Sequence, residues 1–558
     1  MKKISTDLKY LISIWVILIL AIIPTYAHHG HLILDCGREV YYPTQILLGK
    51  VLYKDLFNIY GPFSYMFNAL LFKIFGVNLN VLYGFGCVCA FSITTLIYLI
   101  SKRFLSKFLS FSIAVYTVCL GVLTLNLFNF IFPYSYGMLY GIVAFMASVW
   151  LLLKYVQTPK SLSYLYLSSF FVGLCVTSKY EFLPYLIVIL YAVFKVKPLN
   201  LKEYFYTIAS FLFVPVFCFG VLFWQGLNFQ DLINTAKIIK TMAQTQTLKY
   251  FYITQGVCFD KKTIGFLLLN LVKTAVPLFL FCWGVGRKNK FLAVSLIVVA
   301  TCLMATLTSP VTFSFLPILI LVSAVFNFKN LIKNKALTIL VLSGLTISLK
   351  SFWGLATLNY GLFFVSFLIV AFLALIFDIW DKKNSKIIHL FPNSPFHQIV
   401  GVYILIIAMI LGCQELAKLK FKQYKIETSR GEIYTNEYLY GATNELIKYI
   451  DKNTKKTDTV VIFPEGMVIN FLTNRKTDDL YNSLIPLYVE TFGEEKIIQH
   501  FKETKPEYII FNNWNTGDYY FKYIGSDYAV AFCNFVATNY VQEKVIDSGF
   551  RYLIFKRK

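Results

Sequence analysis

The sequence predicts a polytopic α-helical membrane protein that carries a smaller α/β domain at its C-terminal end. Three observations lead there: an apolar composition, a series of long apolar segments, and a change of character near residue 414. The composition is 57% hydrophobic, 18% aromatic and 15% charged, and the mean hydropathy is +0.63. These values exclude a water-soluble globular protein.

Segments of about 20 apolar residues with basic flanks give about thirteen predicted membrane crossings. They lie near residues 11–27, 81–101, 108–128, 135–153, 161–178, 182–196, 205–226, 263–285, 291–308, 311–328, 336–350, 353–377 and 397–413. Clusters of Lys and Arg follow alternate segments, as at Lys102 with Arg103 and Arg287 with Lys288. The net charge of +23 is therefore interpreted as a topology signal rather than as a nucleic-acid-binding surface.

By the positive-inside rule, the clusters mark the cytoplasmic side of the membrane. The N-terminus is then cytoplasmic, whereas loop 28–80, loop 227–262 and everything after residue 413 face outward. The predicted domains are a transmembrane domain, residues 1–413, and an extracytoplasmic α/β domain, residues 414–558.

Charged residues become frequent after residue 414, and β-rich runs lie at 459–463, 508–511 and 552–555 with helical patterns between them. The run Pro464, Glu465, Gly466 follows a predicted strand. Polar side chains at such a position often bind ligands in α/β domains, although a turn that starts a helix explains them almost as well.

The first outer loop carries the clearest functional signal. Asp35, Arg38, Glu39, Asp55 and Tyr60 lie beside apolar segments. Charges next to hydrocarbon are expensive unless they are paired, hydrated or functional. The loop is therefore the first place to expect a site. An apolar periodicity after Gly61 and Pro62 predicts a helix in the membrane interface that ends at Gly76.

The loop resembles the polytopic GT-C glycosyltransferases, in particular the bacterial branch related to protein O-mannosyltransferases and the lipid A aminoarabinose transferase, glycosyltransferase family 39. The pattern is LL-x-G-x-x-x-Y-x-D-x-F-x-x-x-G-P followed by F-G. The matching residues are Leu47, Leu48, Gly49, Tyr53, Asp55, Phe57, Gly61, Pro62, Phe75 and Gly76. The resemblance continues at Thr177, Ser178 and Lys179. One departure is that relatives carry an acidic pair where this chain has Asp35 followed by Cys36. A second carboxylate would come from Glu39 or Asp55.

The resemblance implies an inverting transfer of a sugar from a polyprenyl-phosphate donor to a glycan, lipid or protein hydroxyl at the outer face. Such a reaction needs a base for the acceptor hydroxyl and cations for the departing phosphate. Asp35 is the predicted base, and Asp55 would bind or orient the acceptor. The predicted donor-phosphate ligands are Arg38, Lys179 and Lys240. Tyr60, Gly61 and Pro62 form the predicted substrate loop.

Each assignment has a structural alternative. Asp35 would otherwise cap a helix, and Asp55 would form an ion pair with Lys54 or Arg38. Arg38 and Lys179 would reach lipid headgroups, and Lys240 would be solvated.

No metal ligand set is predicted. His28, His29 and His31 precede Asp35, where they mark either a wet helix boundary or a divalent metal site. No nucleotide-binding motif occurs, so a lipid-linked donor fits better than a soluble cofactor.

The alternatives from other classes are a flippase or transporter of lipid-linked glycans and a polymerase or ligase of the O-antigen type. Asp and Glu are almost absent from the interiors of the predicted crossings, which disfavours proton-coupled transport.

Overall fold

The computed structural model describes residues 5–33, 36–255, 260–349, 360–383 and 395–558. Helices dominate as far as residue 417. They are α1 (Thr6–Thr25), α2 (Cys36–Leu47), α3 (Phe63–Phe75), α4 (Leu79–Ser101), α5 (Lys107–Gly121), α6 (Tyr136–Gln157), α7 (Ser163–Ser178), α8 (Leu186–Lys195), α9 (Leu201–Trp224), α10 (Phe229–Gln244), α11 (Gln246–Thr254), α12 (Lys261–Val285), α13 (Lys290–Leu307), α14 (Leu316–Phe326), α15 (Phe328–Leu331), α16 (Lys335–Ile347), α17 (Val365–Lys383) and α18 (Pro395–Ala417).

Local sequence explains where many of these helices start. The side chain of Ser106 accepts a hydrogen bond from the backbone N–H of Leu109 at the start of α5. Asn200 with Glu203, and Asn228 with Asp231, form reciprocal capping boxes at α9 and α10. Such caps satisfy backbone donors that the first helical turn leaves without partners.

Each of the thirteen predicted crossings contains a helix among the described residues. Seven described helices are long and apolar enough to cross a membrane by themselves: α1, α4, α6, α9, α12, α13 and α18. The remaining predicted crossings contain shorter apolar helices, so the count of thirteen remains a prediction. The polytopic membrane fold is confirmed.

Basic residues meet at one end of the helix bundle. Lys102 and Lys107, which flank the α4–α5 connection, bind Asp7 with N–O distances of 3.1 and 2.9 Å. Arg103 donates a 2.6 Å hydrogen bond to Gln157 at the end of α6. These contacts place the basic ends of α1, α4, α5 and α6 together. The first loop lies at the opposite end, where it contacts the C-terminal region.

The C-terminal region is an α/β domain. Its elements are β1 (Tyr424–Thr428), β2 (Gly431–Thr435), α19 (Glu437–Asn453), β3 (Val460–Phe463), α20 (Met467–Thr473), α21 (Pro486–Phe492), α22 (Glu494–Thr504), β4 (Tyr508–Asn512), α23 (Val530–Asn539), β5 (Tyr540–Ser548) and β6 (Phe550–Arg557). β1 and β2 form a hairpin, and the other strands form a sheet in the order β3-β4-β6-β5.

Only β3 and β4 run parallel; the remaining neighbours in the four-stranded sheet are antiparallel. The three strands predicted from sequence correspond to β3, β4 and β6. The sequence analysis missed β1, β2 and β5. Most side chains of β5 are polar and largely exposed, so this strand lacks the apolar run that reveals a buried strand.

The C-terminal domain is hydrogen-bonded to the loops at this end of the bundle. The backbone N–H of Tyr434 donates to the carbonyl of Ala27 at 2.9 Å, and Leu79 donates to Arg430 at 2.9 Å. The Lys422 ammonium donates to three loop carbonyls, those of His28, Gly30 and Leu125, at 2.9 to 3.1 Å. The domain is thus fixed over the first loop. The predicted division at residue 414 falls near the end of α18.

Candidate active site

Helix α2 begins immediately after Asp35, which lies outside the described residues. The helix packs closely on the C-terminal domain: a Cβ added at Gly37 would lie 2.6 Å from Cβ of Met467 in α20. This close approach fixes the first turn of α2, which carries Arg38 and Glu39. The two side chains have different surroundings.

Arg38 is partly exposed and lines a cavity. Its Nη1 donates a 3.1 Å hydrogen bond to the hydroxyl of Tyr488 in α21. The guanidinium carbon lies 5.2 Å from the centre of the Tyr60 ring. An aromatic face and a hydroxyl thus orient a permanently charged planar group toward the cavity.

Lys179 lies in the extended break between α7 and the short helix Tyr180–Tyr185 and is only 1% exposed. Its Nζ donates a 2.6 Å hydrogen bond to the hydroxyl of Tyr134, and Glu181 Oε2 lies 3.9 Å away. The ring centre of Tyr60 lies 5.1 Å from Nζ. Tyr60, Tyr134 and Glu181 line the cavity, so the lysine lies just behind its wall.

The predicted substrate loop contacts the Lys179 turn directly. A Cβ at Gly61 would collide with the carbonyl of Thr177, so only glycine permits this approach. Across the same turn, a Cβ at Gly137 would lie 2.8 Å from the carbonyl oxygen of Ser178. Pro62 is buried beside Gly61 and precedes α3. Two motifs more than a hundred residues apart in sequence therefore meet at one place.

Glu39 is buried, and its Oε2 accepts a 3.0 Å hydrogen bond from the backbone N–H of Tyr136, the first residue of α6. Burial raises the pKa of this carboxyl to about 7. The Tyr136 N–H, the charges of Arg38 and Lys179, and a hydrogen bond from Tyr65 oppose the rise. The hydrogen bond of Glu39 thus links α2 to the start of α6, and burial disfavours the ionised form of its carboxyl group.

Asp55 and Lys240 lie apart from this cluster. Asp55 Oδ2 accepts a 2.8 Å hydrogen bond from the backbone N–H of Val51 and closes the turn that contains Tyr53. Lys240 is exposed on α10, whose neighbouring residues Ile239 and Met242 line the cavity. Neither Asp55 nor Lys240 belongs to the cavity lining formed by the described residues.

The histidines before Asp35 are packed against protein. His29 is fully buried, its Nε2 lies 2.8 Å from the carbonyl of Val122, and burial lowers its pKa to about 3. His28 stacks on Tyr434 at 4.1 Å. Within the described ranges, no three His, Cys, Asp or Glu side chains are grouped to hold a metal ion. The predicted alternative, a divalent metal near Asp35, involves a residue outside the described ranges and stays a prediction.

The cavity has a volume of about 470 Å³ and is enclosed by four parts of the chain. Arg38, Ile59 and Tyr60 come from the first loop; Leu127, Phe128, Tyr134 and Glu181 come from the membrane helices and their connections; Ile239, Met242, Ala243, Leu248, Phe251, Tyr252 and Gln255 come from the second loop; and Glu465, Ile485, Leu487, Tyr488, Trp514, Asn515, Thr516, Asp518 and Tyr519 come from the C-terminal domain.

The second loop is anchored to the C-terminal domain at the start of α11. The carboxylate of Glu490 accepts hydrogen bonds from the backbone N–H groups of Gln246 and Thr247 at 2.8 and 3.0 Å. It also accepts one from the Thr247 hydroxyl at 2.7 Å. A carboxylate at a helix N-terminus is favourably placed because it satisfies free backbone donors. This contact holds one wall of the cavity in place.

Comparison with known families gives this geometry a context. The model of the family described as dolichyl-phosphate-mannose-protein mannosyltransferase matches residues 60–224, less than half of the chain. The matched segment includes Tyr60, Gly61, Pro62 and Lys179. Over this segment the chain is similar to a family of glycosyltransferases. No curated protein matches it.

The chain also resembles solved structures. The apo oligosaccharyltransferase of Archaeoglobus fulgidus aligns over 93% of this chain and 71% of its own, with 13% identity and a TM-score of 0.50, which supports the shared fold. The same enzyme in complex with Zn and sulfate gives 12% identity, coverages of 91% and 68%, and a TM-score of 0.49. ArnT from Cupriavidus metallidurans, bound to undecaprenyl phosphate, gives 9% identity, coverages of 98% and 97%, and a TM-score of 0.45.

Most of the cavity wall that comes from the second loop and the C-terminal domain was not predicted from the sequence. Glu465 was noticed because it follows a strand, but nothing in the sequence connected it with Arg38. Phe251 and Trp514 carry no signal that distinguishes them from other aromatic residues in a chain with 54 Phe, 39 Tyr and 7 Trp. A long-range contact can be recognised only when the fold is known.

Proposed function

We propose that this protein is a GT-C-type glycosyltransferase that moves a sugar from a polyprenyl-phosphate-linked donor to an acceptor hydroxyl, with inversion at the anomeric carbon. The observation that carries the proposal is that Arg38 and Tyr134 line the same cavity, with the buried Lys179 bonded to Tyr134 behind the wall. A phosphate leaves with an additional negative charge, and fixed donors aimed at it lower the barrier. The matched family and the lipid phosphate in the ArnT structure support this donor class.

In the proposed reaction, the acceptor oxygen attacks the anomeric carbon while the bond from that carbon to the phosphate oxygen breaks. The bonding electrons leave with the polyprenyl phosphate. The planar guanidinium of Arg38 donates two parallel hydrogen bonds to the phosphate oxygens. Because the Tyr134 hydroxyl accepts a hydrogen bond from Lys179, its own O–H is the donor in any contact with the phosphate. Lys179 then acts as a positioning residue behind Tyr134.

We propose Asp35 as the base that takes the acceptor's proton. Its support is positional, since it precedes the first residue of α2 and lies three residues before Arg38. Attack from the face opposite the phosphate produces inversion.

We further propose that the cavity faces the outer side of a bacterial inner membrane, with residues 414–558 outside. The basic ends of the helices lie at the opposite end of the bundle, the cytoplasmic side by the positive-inside rule. Lipid-linked donors suit this side because nucleotide sugars are cytoplasmic.

The test is transfer of labelled sugar by purified protein in lipid nanodiscs, with polyprenyl-phosphate donors and a panel of glycan, lipid and peptide acceptors. Asp35→Asn is expected to reduce transfer on the order of 1000-fold because general-base catalysis is lost. Asp55→Asn is the matched control, since it removes a carboxylate from the same loop away from the cavity, and it should remain active. Transfer at the wild-type rate by Asp35→Asn would remove Asp35 as the base.

A further inference from the structure

The parallel strand pair of the C-terminal domain opens onto the cavity. β3 and β4 are paired from Val460 with Tyr508 to Phe463 with Phe511, so both strands end at the same edge of the sheet. Glu465 follows β3, and Trp514 and Asn515 follow β4; all three line the cavity. Ligands of α/β folds bind preferentially at the carboxyl ends of parallel strands. This edge therefore has the position of a binding site.

Glu465 is held in one orientation. It is 8% exposed, and its Oε1 accepts a 3.2 Å hydrogen bond from the hydroxyl of Ser483. Its backbone carbonyl accepts a 2.9 Å hydrogen bond from the amide of Asn512 at the end of β4. The backbone N–H of Leu484 also donates to the carbonyl of Pro464 at 2.9 Å. A carboxylate supported in this way is preorganised for a ligand that donates hydrogen bonds.

Trp514 and Asn515 add two other kinds of contact. The Trp514 indole packs against His31 in a T-shaped arrangement with ring centres 5.2 Å apart, and the backbone N–H of Trp514 donates to the side chain of Asn512 at 3.1 Å. Asn515 is exposed at the same edge, and its Oδ1 accepts a hydrogen bond from Gly517. The edge thus combines a carboxylate, an amide and an indole.

We propose that this edge, formed by Glu465, Trp514 and Asn515, is the acceptor subsite and that its acceptor is a carbohydrate. A sugar ring presents hydroxyl donors around its rim, which suit Glu465 and Asn515, and an apolar C–H face, which suits an indole. The phosphate of the donor is disfavoured here because a carboxylate repels it. The assignment of this ligand as the acceptor rests on the proposed function; the binding of a carbohydrate does not.

The first test is binding without donor. Short mannose-, galactose- and N-acetylglucosamine-containing oligosaccharides are titrated into nanodisc-embedded protein and followed by saturation-transfer NMR, beside a Ser/Thr-containing peptide and lipid A. Binding of at least one oligosaccharide, weakened about tenfold or more by Glu465→Gln and by Trp514→Ala, is expected. Glu495→Gln removes an exposed carboxylate from α22 and is the matched control, expected to bind like wild type.

The second test separates donor from acceptor kinetics. Glu465→Gln is expected to raise the acceptor KM about tenfold while the donor KM stays within twofold of wild type. Ser483→Ala, which removes only the orienting hydrogen bond, should give a smaller rise in the same constant.

Failure of the inference is distinguishable from failure of the proposed function. Absence of oligosaccharide binding, preferential binding of the peptide or lipid A, or an acceptor KM unchanged in Glu465→Gln would overturn the carbohydrate subsite. Oligosaccharide binding that the Glu465 and Trp514 variants weaken, in a protein that transfers sugar from no donor, would support the subsite and contradict the proposed transferase reaction.

Discussion

The two sides of the cavity differ in charge and in how readily the sequence revealed them. The side built from the first loop and the membrane helices carries Arg38 and Glu181, with the buried Lys179 3.9 Å from the Glu181 carboxylate. The C-terminal side carries Glu465 and Asp518. A charge beside apolar segments is conspicuous because it is costly there. In a water-exposed α/β domain, a carboxylate after a strand is ordinary. Functional residues are thus easiest to recognise in sequence where their surroundings give a charged side chain a high free-energy cost.

The difference in charge also suggests a division of labour, in which the cationic side handles the donor and the C-terminal side handles the acceptor. Substitutions on the two sides should therefore affect different substrates. The predictions below test that separation, beginning with the largest expected effect.

Arg38→Ala is expected to lower the transfer rate on the order of 100-fold or more, because it removes a preorganised donor for the leaving phosphate. Arg38→Lys should recover part of the lost transfer rate, since lysine supplies the positive charge without the planar, bidentate hydrogen bonding of a guanidinium. Initial rates at saturating acceptor measure both. A rate for Arg38→Ala within threefold of wild type would exclude a role for Arg38 in phosphate stabilisation.

Lys179→Met is expected to lower kcat on the order of tenfold, because the Tyr134 hydroxyl loses the ammonium that holds it. The dependence of the transfer rate on donor concentration should change, whereas the acceptor KM should stay constant. Lys160→Met, at an exposed lysine at the far end of α7, is the control for loss of one positive charge. An equal decrease of kcat in Lys160→Met would show that the effect of Lys179→Met comes only from the loss of one positive charge.

Glu39 gives the smallest expected effect, on the pH dependence of stability. Its pKa in the folded protein is raised from 4.5 to about 7, mainly by burial. Its contribution is therefore complete below about pH 4.5 and is lost as the pH rises through about 7, by at most about 1.4 kcal/mol per pH unit. Glu39→Gln should flatten this part of the profile in thermal unfolding between pH 5 and 8. A profile identical to wild type would show that Glu39 does not titrate there.

The membrane fold was predictable because hydrocarbon imposes a simple length and composition rule on each crossing. The close approach of Gly61 to the Lys179 turn was not predictable, although both motifs were recognised. The local sequence does not determine which two turns come into contact. The roles suggested for Asp55 and Lys240 came from residue type and proximity in sequence. The structure places Asp55 in a turn and Lys240 on an exposed helix face, because the chain folds those side chains away from the cavity.

The position of Glu39 is instructive for a different reason. A carboxylate one residue from Arg38 was a reasonable second acid, yet α2 turns it toward the start of α6. On a helix, consecutive side chains point about 100° apart, so neighbours in sequence face different surroundings.

The most direct test of the divided cavity is to measure donor and acceptor affinity separately for Arg38→Ala and Glu465→Gln in the same nanodisc preparation. Polyprenyl-phosphate sugar binding and oligosaccharide binding are each titrated for both variants and for wild type. We expect Arg38→Ala to weaken only donor binding and Glu465→Gln to weaken only acceptor binding. The divided cavity would be contradicted if both variants weakened binding of the same substrate equally. It would also be contradicted if Arg38→Ala weakened only acceptor binding and Glu465→Gln only donor binding.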